Sequence, residues 1–229
     1  MPLLLHYCVL CEQPIERDLD LCIHCENSLP RNLSACERCG LPVEYANEIA
    51  VPMLCAGCHV DPPPCTRTLA PFIYLGPIRH WIRQFKFNRD WRSGKVLARC
   101  YANAIALNLG GSGLPDVIVP VPLSTRRLLW RGHNQSLLLA QELHRQLRLP
   151  IHTRWLKRIR HRRPQATLSL SARESNMARV FAAGDEVAGL NIALVDDVCT
   201  TGATLRSATS ALLNAGASAV EWWVAARTR

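Results

Sequence analysis

Residues 191–205 combine an apolar run, two acids and a turn rich in hydroxyl groups, and this combination constrains the fold more than any other feature. The run over residues 192–195 predicts a buried strand, and Asp196 and Asp197 follow it directly. Helical periodicity begins at Thr204, and Gly216 is placed to end that helix. The segment therefore predicts a strand, a tight turn and a helix in immediate succession.

A turn between a strand and a helix points several backbone N–H groups at one place, where the helix dipole also favours an anion. We therefore expect a phosphate in this turn. Asp196 and Asp197, at the carboxyl end of the strand, are placed to hold ribose hydroxyls or Mg²⁺, which prefers oxygen ligands. The plainer interpretation is a solvated Asp pair before an ordinary capped helix. The phosphate-binding residues would be Thr200, Thr201, Gly202, Ala203 and Thr204.

Eight of the eleven cysteines form four Cys-x2-Cys pairs within the first 58 residues. Each pair points two thiolates at one ion, and two pairs complete the tetrahedral ligand set of a structural zinc site. The segment has few large apolar residues, so metal would replace a missing core. We predict two Zn²⁺ ions, with a pairing that spacing alone leaves open. Combination in chain order gives Cys8, Cys11, Cys22 and Cys25 for one ion, and Cys36, Cys39, Cys55 and Cys58 for the other.

Several other residues compete for roles near these pairs. His24, His59 and Cys65 lie close enough in sequence to replace a ligand, but an exposed histidine beside a zinc knuckle is the favoured interpretation. Cys100 is predicted to lie in the core, because free cysteine behaves as a small hydrophobic residue. Cys199 is interpreted as a loop residue. A helix N-terminus there could lower the pKa of its thiol, yet no partner base is evident for catalysis.

Charge divides the chain at about residue 68. Residues 1–68 hold four Lys/Arg against nine Asp/Glu, whereas the remainder holds 23 against nine. Each zinc site built from four cysteines adds a net charge of about −2, so the zinc-binding part would be strongly acidic. Nucleic-acid binding through basic zinc fingers is therefore disfavoured. Attraction to phosphates belongs to the second half of the chain.

The N-terminus lacks the basic start and long apolar stretch of a signal peptide, and no apolar run approaches the ~20 residues of a membrane helix. Because eleven cysteines without a secretion signal indicate a reducing compartment, we expect a cytoplasmic protein with no membrane insertion.

The Pro62-Pro63-Pro64 run follows the last cysteine pair and interrupts helix and strand alike. We therefore place a domain boundary there, with a zinc-binding domain at residues 1–68 and a second domain at 69–229. In the second domain, predicted strands at 72–75, 117–121, 151–155, 191–195 and 220–225 alternate with helices at 77–86, 92–108, 134–147 and 204–215. Such alternation predicts an α/β fold, with a parallel sheet covered by helices on both faces.

The predicted strand at 117–121 ends in a second polar cluster. Prolines fix the backbone there, and several cationic and amide donors follow. The cluster comprises Pro120, Val121, Pro122, Ser124, Arg126, Arg127, Arg131, Gly132, His133, Asn134 and Gln135.

These motifs resemble the type I phosphoribosyltransferases, which bind phosphoribosyl pyrophosphate (PRPP) through a hydrophobic run, two acids and a Thr-Thr-Gly-x-Thr loop. The longer Val-Pro-x-Pro-x-Ser…Arg-Gly-x-Asn-Gln string is similar to the competence protein ComF family and its relative GntX. The cysteine pairs, Phe85-Lys86-Phe87 and the string Gln165-x2-Leu168…Arg173-x2-Asn176 also match that family. His133 departs from it, because many relatives carry Phe at that position.

The resemblance implies that Asp196 and Asp197 contact the ribose 2- and 3-hydroxyls and that the 200–204 loop wraps the 5-phosphate. Mg²⁺ would accompany PRPP. The residues expected around pyrophosphate are Pro120, Val121, Pro122, Arg126, Arg131, Lys86 and, in a mobile segment, Arg173.

Residues 154–163 contain six Lys/Arg and His161, a density too high for a packed element, so we expect a loop or a solvated edge. Three roles remain open for this run: solvated charge, a lid over pyrophosphate, or a strip that contacts DNA. Trp155 could stack a base. Trp222 and Trp223, neighbours on a strand covered on both faces, are expected in the core.

Two functions compete at this stage. The first is a transferase that binds Mg-PRPP and substitutes a nucleophile for pyrophosphate at the anomeric carbon, with an acceptor that the sequence does not define. The second, implied by the ComF and GntX resemblance, is a non-catalytic adaptor of DNA uptake or of the use of DNA as nutrient. That adaptor would sense PRPP or a nucleotide and bind single-stranded DNA or a protein partner of the uptake machinery.

Overall fold

The computed structural model describes residues 6–43, 54–109, 113–159 and 180–229. The strands are β1 (His6–Tyr7), β2 (Pro14–Ile15), β3 (Thr68–Leu69), β4 (Phe72–Ile73), β5 (Val117–Pro120), β6 (Leu156–Arg158), β7 (Phe181–Ala183), β8 (Asn191–Cys199) and β9 (Ala219–Arg227). The α-helices are α1 (Ile23–Asn27), α2 (Ala56–Val60), α3 (Gly76–Arg83), α4 (Trp91–Leu109), α5 (Thr125–Arg131), α6 (Gln135–Leu147) and α7 (Ala203–Asn214). A π-helical turn (Gln84–Asn88) joins α3 to α4, and a short 3₁₀ turn (Asp185–Val187) precedes β8.

The central sheet is parallel throughout. Its order is β3-β9-β8-β5, and β4 continues along β9 beyond β3. In register, Val119 lies beside Leu194, and Leu194 lies beside Trp222. Because carboxyl ends of parallel strands share one edge, the ends of β5, β8 and β9 define a single ligand-facing edge.

Alternating residues of β8 divide between two cores, one on each face of the sheet. Ala193 and Val195 pack with α3, α4 and α6, whereas Ile192 and Leu194 pack with α7. The sequence is apolar on both faces here because both faces are covered, as the α/β expectation required. Trp222 and Trp223 are 1% and 0% exposed on opposite faces, so both tryptophans are core residues, as predicted.

The predicted secondary structure differs from the observed one at several points. The strand predicted at 151–155 is wrong: Ile151 forms one parallel bridge to Ile118, and the strand β6 begins at Leu156 instead. β6 pairs with β7 in a separate antiparallel hairpin whose Leu156 is buried against the α7 side. Lys157 is exposed, but the expectation that the basic run contains no packed element is wrong for β6, because Leu156 is 1% exposed in the core. Residues 160–179, with the rest of that run, lie outside the described ranges.

The short helix α5 occupies part of the expected anion-binding loop, and the sequence analysis did not predict it. Ser124 caps it by accepting a hydrogen bond from the Arg127 N–H, and Gly132 ends it at φ +79°. These two signals were present in the sequence. They were missed because a seven-residue helix whose side chains are all at least partly exposed has no apolar stripe to reveal it.

Candidate functional site

Asp196 and Asp197 lie within β8 rather than after it, because the strand continues to Cys199. The strand extends past the acids since β9 pairs with it through Arg227. The Asp196 carboxylate accepts a 2.9 Å hydrogen bond from Ser136 Oγ, at the first turn of α6. The adjacent carboxylate of Asp197 forms a 2.7 Å ion pair with Lys86 Nζ.

Asp196 has an unusual proton affinity for an aspartate. Burial and the neighbouring negative charge of Asp197 raise its pKa from 3.8 to about 7, against the opposing hydrogen bond from Ser136. The backbone N–H of Asp197 also donates to Asp196 Oδ1 at 2.9 Å. A carboxylate held in this way is ready to accept hydroxyl donors or a divalent cation, either of which would favour its charged form.

Lys86 reaches this pair because of the π-helical turn that follows α3. Phe85 is buried against Gly94 of α4, where an added Cβ would lie 2.7 Å from the Phe85 ring. Arg89 closes the turn in the left-handed conformation at φ 54°. Within one turn, therefore, Phe85 anchors the backbone, Lys86 points at Asp197, and Phe87 faces solvent with 53% of its surface exposed.

The turn that follows β8 reverses the chain tightly between the strand and α7. Gly202 adopts φ +78° at the N-cap of α7, so the chain reverses there without a Cβ. The Ala203 N–H donates to Thr201 Oγ1 at 3.3 Å. Gly202 is buried, while the side chains of Thr200, Thr201, Ala203 and Thr204 are exposed at the open end of the sheet.

Cys199 was interpreted as a loop residue, and that interpretation is wrong. It is the last residue of β8, only 2% exposed, and it packs in the α7-side core. Burial raises the pKa of its thiol to about 11, the opposite of the lowering that a helix N-terminus would produce. Cys199 is therefore a core residue behind the loop. Cys100 is likewise buried at 2% exposure, as predicted.

The end of β5 lies beside the acids. The Val121 N–H donates to the carbonyl of Val195 at 2.9 Å, and Asn134 Nδ2 donates to the carbonyl of Val121 at 3.1 Å. These bonds fix the Pro120-Val121-Pro122 segment against β8. The sheet therefore brings together the two strand ends that the sequence analysis singled out.

Arg131 is the best-placed cation of α5. Its guanidinium donates to Gln135 Oε1 at 3.1 Å, while its buried Nε has no hydrogen-bond partner among the described residues. Burial lowers its pKa and the charge of Arg127 acts in the same direction, whereas the charges of Asp197 and Asp196 oppose this shift. A buried guanidinium donor without a hydrogen-bond partner suits an anionic ligand.

The remaining predicted cations differ in placement. Arg126 and Arg127 are exposed on α5. Arg158 of β6, which is not among the predicted site residues, has a pKa lowered by burial, and the charges of Arg127 and Asp196 also act on it. Arg173 lies outside the described residues. The signal that could have revealed Arg158 was its membership of the basic run at 154–163.

His133 occupies an aromatic environment. Its ring lies 4.3 Å from the Phe85 ring centre and 4.7 Å from that of Trp91. His133 Nε2 lies 3.0 Å from the carbonyl oxygen of Phe85, and burial lowers the pKa of the imidazole. A neutral histidine donating to that carbonyl therefore ties the Lys86 turn to the start of α6.

The cysteine pairs combine in chain order. The sulfur atoms of each group of four lie within 4.8 Å of one another. Cys11 and Cys22 have sulfurs 3.7 Å apart, and Cys39 and Cys55 have sulfurs 3.6 Å apart. Four thiolates at about 2.3 Å from Zn²⁺ in a tetrahedron are separated by about 3.8 Å, so both groups fit zinc.

The electrostatics of the two clusters also suit a metal ion. Burial raises the pKa of Cys8 and of Cys36, but backbone N–H groups around each sulfur outweigh it and lower the values to about 6 and about 7. Each cluster therefore offers one thiolate readily at neutral pH. Cys65, buried at 1% exposure, instead donates to the carbonyl of Arg38 at 3.1 Å, and His24 and His59 are exposed outside both groups.

Comparison with known proteins agrees with both parts of this architecture. A double zinc ribbon domain matches residues 3–59, and a phosphoribosyl transferase domain matches residues 133–229. The class defined by fold and site is thus a phosphoribosyltransferase-type α/β protein that carries two four-cysteine zinc sites.

Similar curated proteins then identify the family. The DNA utilization protein YhgH of Salmonella typhimurium is 35% identical over 193 residues, and that of Escherichia coli K12 is 36% identical over the same length; each alignment covers 83% of both chains. Competence protein F of Haemophilus influenzae is 32% identical over 194 residues, covering 82% of both chains. The chain belongs to the ComF family. Among the described helices, none has the length and apolar composition needed to cross a bilayer.

Proposed function

We propose that the protein binds Mg-PRPP at the shared edge of β5 and β8 and transfers its phosphoribosyl group to an acceptor. The observation that carries this proposal is the position of the Lys86–Asp197–Asp196 cluster beside the Gly202 turn. The two carboxylates and the turn follow each other at the carboxyl end of one strand, where a sugar and its phosphate could be held together. The fold and the family agree with a PRPP-type ligand.

The chain's own groups suit the charges that develop in such a transfer. Arg131 and Lys86 would stabilise the departing pyrophosphate, with Arg126 and Arg127 at its outer side. Asp196 and Asp197 would orient the ribose through its hydroxyls and place negative charge below the cationic ring. Their carboxylate oxygens fit Mg²⁺, which when bound would neutralise charge on the pyrophosphate.

Calorimetry with Mg-PRPP tests the site. Asp196→Asn/Asp197→Asn is expected to weaken binding by about a hundredfold, because two charge-assisted contacts to the ligand are lost. The matched control is Asp185→Asn/Glu186→Gln, which removes the same charge from two exposed residues of the turn before β8. The control should bind like the wild type. Equal affinity for the wild type and the Asp196/Asp197 variant would refute ribose recognition by these acids.

An assay of pyrophosphate release from Mg-PRPP distinguishes an enzyme from a non-catalytic sensor. The described residues include no dedicated general base beside the acids, so the acceptor must bring or lose its proton in another way. Release that depends on one base or amine among a panel of acceptors would support transfer. Tight Mg-PRPP binding without release for any acceptor would favour the sensor.

The second candidate, an adaptor that binds single-stranded DNA, draws on an exposed aromatic and cationic surface next to the site. The Phe87 and Trp130 rings lie 5.9 Å apart, and the Arg131 guanidinium lies 5.6 Å from the Phe87 ring centre. Trp130 is 61% exposed, and Arg89 donates to its carbonyl. Bases stack on such rings while cations follow the backbone.

Binding of a single-stranded oligonucleotide should then weaken steeply with salt and fall further in Trp130→Ala. Tyr7→Ala is the matched control, because it removes another exposed aromatic ring that is distant from Trp130 in the sequence. A flat salt response or equal loss in both variants would refute this surface. A reducing cytoplasm belongs to both proposals, because the eight clustered thiols must remain free for zinc.

A further inference from the structure

Arg227 is a buried cation outside the set of residues that would contact the ligand in the proposed function. It ends β9 directly beside Cys199 of β8 and is 8% exposed. No carboxylate lies within ion-pair distance of its guanidinium in the part of the chain that the structure describes. Burial of an arginine without a carboxylate is costly, so other acceptors must compensate for its charge.

Besides two oxygens of the adjacent Thr228, the acceptors of Arg227 come from two different parts of the molecule. Arg227 Nε donates to the carbonyl of Cys39 at 3.0 Å, and Cys39 belongs to the second cysteine cluster. Nη1 donates to the carbonyl of Cys199 at 3.0 Å and to that of Thr200, the first residue of the phosphate turn. One guanidinium therefore joins the second zinc ribbon to the proposed 5-phosphate loop.

These hydrogen bonds fix the direction of two peptide groups. All peptide bonds here are trans, so the C=O and N–H of one peptide point in opposite directions. Because the carbonyls of Cys199 and Thr200 face Arg227, the N–H groups of Thr200 and Thr201 face away from it. Those are the donors that a phosphate in this turn would use.

Charge gives a second reason for the arrangement. A zinc ion with four thiolates carries a net charge of about −2, and the second cluster is placed on the Cys39 side of Arg227. A sugar phosphate in the turn would place further negative charge on the opposite side. The guanidinium would then lie between two anionic groups, which accounts for its burial without a carboxylate partner.

We propose that Arg227 is a positioning residue that ties the second zinc site to the 5-phosphate loop, so that sugar phosphate affinity depends on that zinc ion. The inference rests on the proposed function, since it concerns the same loop. It assigns to the second zinc ribbon a role in ligand binding.

Arg227→Lys tests the link. Lysine keeps the positive charge but lacks the planar guanidinium, which donates to the carbonyl of Cys39 and to that of Cys199 at the same time. Calorimetry with ribose 5-phosphate and with Mg-PRPP should show affinities reduced by about tenfold or more. Pyrophosphate alone, which would contact Arg131 and Lys86, should bind as in the wild type. Two zinc ions per chain should remain. A merely structural role would not separate these probes.

Two further variants complete the test. Arg38→Lys is the matched control, because Arg38 neighbours Cys39 but donates to the carbonyls of Cys65 and Thr66, away from the turn. Cys55→Ala/Cys58→Ala removes two ligands of the second zinc ion and leaves the Arg227 side chain unsubstituted. This variant should show the same selective loss of affinity for ribose 5-phosphate.

Wild-type affinity for ribose 5-phosphate in Arg227→Lys, or in the cysteine variant with one zinc ion per chain, would overturn the link alone. Failure of the wild type itself to bind ribose 5-phosphate and Mg-PRPP would overturn the proposed function and this inference with it.

Discussion

Two adjacent aspartates of β8 have different electrostatic surroundings. Asp197 is neutralised by Lys86 at 2.7 Å, whereas Asp196 accepts hydrogen bonds from Ser136 and from the N–H of Asp197. Burial together with the charge of Asp197 raises the pKa of Asp196 to about 7. The pair thus includes one carboxylate in an ion pair with Lys86 and one group that titrates near neutral pH.

The raised pKa of Asp196 predicts a pH dependence of ligand affinity. If the charged form of Asp196 holds the ribose or Mg²⁺, affinity for Mg-PRPP should rise with pH through about 7. Ser136→Ala removes a hydrogen bond that lowers this pKa, so the rise should shift to higher pH. Calorimetry from about pH 5.5 to about pH 9 measures both curves. Ser210→Ala, on the exposed face of α7, is the control, and coincident curves for Ser136→Ala and the wild type would contradict the assignment.

The same group affects stability with a definite sign. Its pKa is higher in the folded chain than its ordinary value of 3.8, so the folded state binds more protons between about pH 4 and pH 7. The contribution of Asp196 to the free energy of unfolding therefore falls as pH rises through that window. Ligand or metal binding would offset this loss by favouring the charged form.

At the residue scale, the sequence predicted the groups but not their partners. Asp196, Asp197, Lys86 and Arg131 were all selected from motifs, and the structure brings them together. Ser136 and Arg227 were not, because their roles depend on a helix start and a strand end that lie far away in sequence.

The β8–α7 connection is the element on which the proposed site depends. β8 runs four residues past the predicted end, and α7 begins one residue early, so the turn is shorter than the sequence indicated. Gly202 makes this possible because glycine readily adopts the positive φ of +78° that the turn requires. An added Cβ at this position would also lie 3.3 Å from the Trp222 ring.

Gly202→Ala is expected to destabilise the protein by about 1–2 kcal/mol and to weaken ribose 5-phosphate binding, because a Cβ strains the turn and meets Trp222. Gly189→Ala is the matched control: Gly189 has φ +76° and an open surrounding, so only the backbone strain applies. Thermal unfolding and calorimetry measure both effects. Equal destabilisation and unchanged ligand affinity in the two variants would contradict a special role for this turn.

Element prediction failed where local signals were weak. α5 has capping residues but no buried side chain. The sequence pattern predicts one continuous helix over 77–86, whereas the structure has a π-helical turn at Gln84–Asn88. Burial of Phe85 against Gly94 selects that turn, and such a contact between two helices cannot be read from spacing. The long apolar elements, by contrast, were placed within a few residues.

At the scale of the whole molecule, the zinc-binding part shares a core with the α/β part. Leu21 and Leu29 belong to the same buried cluster as Trp81 and Tyr101 of α3 and α4. The N–H of Thr68 donates to the carbonyl of Glu37 at 2.8 Å. The domain boundary near residue 68, placed from composition and the proline run, thus falls in a region of close contact between the two parts.

Zinc removal should therefore destabilise the entire chain. A chelator is expected to lower the melting temperature of the helices, followed by circular dichroism, and a chain truncated to residues 69–229 should expose Phe72 and Trp81 and be markedly less stable. Restored stability on adding Zn²⁺ is the control for the chelator. An unchanged helical transition after loss of both zinc ions would show that the two parts fold independently.

The central claim is that the acids of β8 and the turn after it hold opposite ends of one phosphorylated sugar. A crystal structure with Mg-PRPP tests this most directly. We expect the 5-phosphate on the N–H groups of residues 200–204, the ribose hydroxyls on Asp196 and Asp197, and the pyrophosphate near Arg131. A ligand bound elsewhere, with an empty turn and both carboxylates facing solvent, would contradict the account.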